Sequence, residues 1–124
     1  MPTYRVDELE GARLDAAVAK AEGMEFRIEV MGEAGQVCFA PWHHTFGMLG
    51  MQPYSPSVTW GLAGPIIERE GIALERINGQ WFANIGEWIN GDHLAVHHSH
   101  ASPTLLVAAM RALVVAKLGA EVDL

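Results

Sequence analysis

Six histidines carry most of the chemistry that this chain can offer. Four of them, His93, His97, His98 and His100, fall within the stretch DHLAVHHSH, and His43-His44 form a pair upstream. Imidazole is a ready zinc ligand, and zinc takes four protein ligands in a structural site or three plus water in a catalytic one. The spacing suits either regular backbone. On a strand His98 and His100 share a face with Leu94 and Val96, and on a helix His93 and His97 stack one turn apart. Asp92, His43, His44 and Cys38 join such a set only through folding. One expectation is therefore a metal-binding protein or metal-dependent enzyme that holds zinc with His93, His97, His98 and His100, with His43 and His44 as additions. The competing expectation is a solvated connector that changes charge near pH ~6.5. Asn90-Gly91 and Ser99 flank the stretch, which leads straight toward a helix start.

Other catalytic signatures are weak. Ser55, Ser57 and Ser99 lack a Gly-x-Ser-x-Gly elbow. Asp92 and His93 are adjacent, so on a strand they point to opposite faces. Cys38 lies in an apolar strand-like run, where a small buried thiol is the usual role. GMLGMQ has neither the spacing nor the lysine of a phosphate-binding loop. Binding rather than catalysis is the expectation, with no cofactor beyond zinc.

The second chemical feature is an absence of charge. Residues 34–67 contain no Asp, Glu, Lys or Arg but do contain Trp42, Phe46, Met48, Met51, Tyr54 and Trp60. Aromatic and Met side chains with little charge are the composition of an interface core. Long loops without secondary structure are uncommon unless they work. These six residues are the expected binding surface. The alternative is a long loop packed over the sheet, with Trp42 and Trp60 as covering anchors.

The elements that position these groups follow from periodicity. Leu14, Ala17, Val18 and Ala21 recur at helical spacing, with Glu10 or Asp7 before them and Gly23 after. Phe26, Ile28 and Val30 alternate with charged residues and predict a strand, which makes residues 24–40 a hairpin. Pro65 is placed at the first position of a short turn that Gly71 closes. Asn78-Gly79 predicts a type I′ hairpin with Arg76 opposite Trp81 and Leu74 opposite Ala83. The last helix starts at Ser102-Pro103 or Thr104 and ends at Gly119. It is apolar nearly all round, so it is either core or covered by another chain. The predicted class is α+β: a small antiparallel sheet of two hairpins packed against two main helices.

Bulk properties set the outer limits. The 124 residues fit one domain, 1–124, and half are hydrophobic. The net charge is −7 and the eight basic residues are scattered, so no basic cluster for nucleic acid is expected. No apolar run reaches the ~20 residues that a membrane span needs. One cysteine and a start without signal-peptide character fit a cytoplasmic protein.

Three segments carry a family resemblance: LEGARLDAAVAKAEG, YSPSVTWGLAGPIIERE and SPTLLVAAMRALVVAKLGAEVDL. Together, covering under half of the chain, they resemble the NinX-like family of small phage and prophage proteins. Thr59 stands where that family typically has an acid before the tryptophan, and Leu105 stands where a proline usually follows the threonine. The histidine groups fall outside the three segments. The resemblance implies a phage or prophage origin and a cytoplasmic location, and it supplies no reaction. The combined expectation is a non-enzymatic accessory protein, a homodimer, that binds a host or phage protein.

Overall fold

A computed structural model describes residues 2–45, 48–89, 93–98 and 102–124. At 43–45, 48–49, 87–89 and 93–98 it describes the backbone. The described residues form eight strands and three α-helices, which is an α+β mixture. The first helix, α1 (Gly11–Ala21), follows the expected stripe and buries Leu14, Ala17 and Val18. Glu10 is its N-cap residue but makes no side-chain cap bond. Gly23 follows the helix end with φ of 75°, a conformation that costs glycine little.

The two expected hairpins form, and each gains a third strand. In the first sheet β2 (Arg27–Val30) pairs with β3 (Gln36–Thr45), which pairs in turn with β4 (Met48–Pro53). The register of β3 on β4 slips between Ala40 and His43. Pro41 lies in that slip, and a residue with no N–H is best tolerated at a bulge. In the second sheet β5 (Ala73–Ile77) and β6 (Gln80–Ile89) meet at Asn78-Gly79, whose φ values are 52° and 78°. Arg76 faces Trp81 and Leu74 faces Ala83 in the expected register. The third strand, β7 (His93–His98), pairs antiparallel with β6.

Two expectations are corrected here. The connector predicted over the histidine stretch is, from 93 to 98, strand β7. An unpaired β6 edge would leave backbone donors and acceptors open, and the following segment fills them. The charge-free stretch 34–67 is not a long loop either. Most of it is β3, β4 and the start of α2 (Trp60–Glu70). That helix begins five residues before Pro65, which lies inside it rather than at its first position. A helical proline crowds the carbonyl four residues back. Here that residue is Gly61, whose backbone can adjust without moving a side chain.

The core lies where α1 meets α3 (Leu105–Leu118). These helices pack on each other, α1 also covers β2 and β3, and α3 covers β6 and β7. Leu14, Val18, Met110, Leu113 and Val114 are fully enclosed. Each such side chain contributes roughly 1.5–3 kcal/mol of burial. Most of the apolar surround of α3 is thus buried within the chain, while Leu105, Val107 and Val115 are half-buried. Arg69 bridges α2 to α1 through Glu22 at 2.8 Å, and Lys117 reaches Glu70 at 2.8 Å. Finally β1 (Thr3–Arg5) pairs antiparallel with β8 (Glu121–Asp123). No described helix is long and apolar enough to cross a membrane.

Candidate functional site

The turn between β4 and α2 organises the most distinctive surface of the molecule. Tyr54 ends the sheet, its N–H donating to the Cys38 carbonyl at 2.8 Å. The chain then folds back on itself. Val58 N–H and Thr59 N–H both donate to the Ser55 carbonyl, and the Ser55 and Thr59 hydroxyls lie 2.9 Å apart. The turn is tied down by a carboxylate from another element. Asp15 of α1 is buried, and its Oδ1 accepts from the Ser57 N–H at 2.8 Å.

Burial pushes the Asp15 carboxyl up from 3.8 to about 6. The Ser57 backbone N–H opposes that rise, and the nearby Ser57 hydroxyl does so too. That hydroxyl oxygen is enclosed, yet it makes no hydrogen bond of normal geometry. Cys38 and Tyr54 stand against the same carboxyl. Burial first, then the charge of Asp15, pushes the Cys38 thiol up to about 12. Burial, then Glu22 and Asp15, raises the Tyr54 phenol further above its ordinary value. Near neutral pH Cys38 is therefore a thiol and Tyr54 a phenol, and neither is an activated nucleophile. Of the three, Asp15 alone changes charge close to neutrality.

Three hollows adjoin at Ser57 and Val58. One of about 210 Å³ lies beneath the turn, lined by Asp15, Cys38 and Tyr54. A second of about 380 Å³ lies between the starts of α1 and α3, lined by Gly11, Thr104 and Arg111. A third of about 360 Å³ is bordered by Trp60, Leu105 and Leu106. Above them stand two large apolar side chains, Val58 at 73 % and Trp60 at 57 % exposure.

The residues singled out in the sequence are distributed as follows. Trp42 sits at the β3 bulge, 38 % exposed, with its indole N–H donating to the Pro53 carbonyl at 2.7 Å. Its ring centroid is 6.5 Å from that of Tyr54, which is buried. Met51 is half-buried on β4, and the Met48 backbone pairs with Thr45. Trp60 opens α2. Phe46 and His100 lie outside the described residues. Backbone positions alone are described for the other five histidines. His43 pairs with Gly50 and His44 with Leu49, while His93, His97 and His98 pair with Ile89, Ile85 and Asn84. Among the described residues no group of three or more His, Cys, Asp or Glu is placed to hold a metal.

Sequence reasoning passed over Asp15 and Val58, and weighed Ser57 only as a nucleophile. A signal for Asp15 was present: it is the single acid in the run LDAAVA, on a helix whose neighbouring positions are apolar. Ser57 and Val58 gave none, because their roles depend on how the turn seats on α1.

No match to this chain is found among curated proteins. The family model described as "Bacteriophage P22, NinX" matches residues 5–117, a span that runs through both histidine groups and the first two segments noted above and takes in the third as far as Lys117. The chain belongs to the NinX family of phage proteins.

Proposed function

We propose that this phage-family protein is a cytoplasmic accessory factor that binds a host or phage protein, and that the shelf formed by Val58 and Trp60 is where it docks. The observation that carries this is the 73 % exposure of Val58 and 57 % exposure of Trp60 on a turn stapled from below by Asp15. Exposed apolar side chains on a well-bonded support are arranged for contact, and tryptophan is enriched among residues that dominate binding energy. The hollow beside them is bordered by Leu105 and Leu106, with Ser57 and Thr104 as its polar lining. It fits an uncharged apolar side chain, such as Leu, Phe or Met, carried by a partner's segment. The scattered bases and the net charge of −7 support a protein partner over nucleic acid.

The test places a photo-crosslinking residue at Val58 in infected cells, then titrates the purified partner against wild type and Val58→Asp. Specific capture and an affinity loss of tenfold or more, with an unchanged melting temperature, support the proposal. Equal affinity for Val58→Asp removes it. Light scattering on both proteins identifies the case in which the occupant is a second copy, since Val58→Asp then converts a dimer to a monomer.

A further inference from the structure

The hollow between the starts of α1 and α3 is lined by a charge that no described residue pairs with. Arg111 is 9 % exposed, and its Nε donates to the Leu9 carbonyl at 2.9 Å. It forms no ion pair among the described residues. Its two terminal nitrogens make no hydrogen bond there, and neither is sealed off as an enclosed orphan. Arg111 is one of the residues that line the hollow. A guanidinium does not shed its proton in a protein, so a buried one needs an anionic or strongly polar partner.

The surroundings favour the same kind of ligand. Gly11 begins α1 and Thr104 caps α3, and neither helix start has a side-chain cap bond. Both place free first-turn N–H groups and the positive end of a helix dipole beside the hollow. Much of the remaining wall is apolar, from Val58, Pro103 and Val107. Glu10, the one acid on the lining, is exposed, so water screens it at the mouth while Arg111 lies at the floor.

We propose that this hollow binds a small carboxylate with a short apolar tail. The carboxylate pairs with the two terminal nitrogens of Arg111, a planar fork that matches it in geometry. The tail lies against Val58 and Val107. A volume of about 380 Å³ suits a compact ligand of this kind. The apolar wall disfavours a bare inorganic anion, which gains nothing from it. The site adjoins the docking shelf and shares Val58 with it, but its test needs no partner protein.

The experiment titrates sodium valerate into isotope-labelled protein and follows the Arg111 Nε–H and Gly11 amide signals. Saturable shifts with a Kd of ~1–10 mM or tighter are expected. Butylamine, with a similar tail and the opposite charge, gives none, and inorganic phosphate binds at least threefold more weakly. Arg111→Gln abolishes the shifts. Because that variant can also fail to fold, Val107→Glu provides the second arm. It sets a carboxylate four residues before Arg111 on the same helix face, an internal competitor that keeps the fold and blocks valerate. No saturable shift in wild type overturns the proposal. So does unchanged valerate binding in folded Val107→Glu, or phosphate binding as tightly as valerate.

Discussion

Replacing Asp15 by asparagine should make the protein more stable at pH 7. The folded chain holds the Asp15 proton with a pKa of about 6, against an ordinary value of 3.8. At 1.36 kcal/mol per pH unit this corresponds to ~3 kcal/mol of cost for the charged form in the folded state. The sign follows from proton uptake. Between about 4 and 6 the folded state binds more protons than the unfolded one, so stability falls as pH rises through that window. Above it the full cost is present, and below 3.8 it is absent. The side-chain amide introduced by Asp15→Asn keeps an oxygen to accept from the Ser57 N–H and adds an NH₂ that can donate to the nearby Ser57 hydroxyl. The expected gain at pH 7 is ~1–3 kcal/mol, a rise in Tm of roughly 4–12 °C for a domain of this size. Urea unfolding of both proteins at pH 7 and pH 4 measures it, and the two curves should converge at pH 4. A loss of more than ~1 kcal/mol at pH 7, or a difference that does not change with pH, would refute the reasoning that burial dominates the environment of Asp15.

Three further predictions follow from other parts of the molecule. Gly79→Ala forces a Cβ into a φ of 78° and should cost ~1–2 kcal/mol by chemical denaturation, while Asn78→Gly stays within ~0.5 kcal/mol. Cys38, buried and pushed up to about 12, should resist a thiol reagent at pH 8 in the native state and react fully once unfolded. Zinc held by the histidines of β3, β7 and residue 100 predicts about one equivalent of metal in untagged protein and a lower Tm with chelator; metal-free protein with an unchanged Tm ends that idea.

The parts of the fold legible in the sequence are those governed by local chemistry. The Asn78-Gly79 pair specified both the hairpin and its register, because few dipeptides accept two positive φ values. The stripe of α1 and the apolar run of α3, broken by Arg111, marked both helices. The misreadings share a cause. Strand β7 and the hairpin β3–β4 are built from sequences whose own preference is weak, and each forms because a neighbouring strand offers an open edge. Helix α2 starts before Pro65 because the Ser55–Thr59 turn sets its first residues. The candidate site was hardest to see. Arg111 was visible as a charge in an apolar helix, but its lack of an ion-pair partner among the described residues depends on which loops arrive beside it.

The pairing of β1 with β8 makes the two flanks of the fold depend on each other. Thr3 meets Asp123 and Arg5 meets Glu121, so β1 stays unpaired until β8 is available. Val6, fully buried just after β1, is held by a bond from its N–H to the Ala120 carbonyl. While residues near 120 remain in the ribosomal tunnel, Val6 lacks that partner and the α1–α3 core is incomplete. That core closes only once residues near 120 are free to fold, and contacts this distant in sequence slow the step. A nascent chain stalled shortly after α3 should accordingly be open to proteolysis along its whole length.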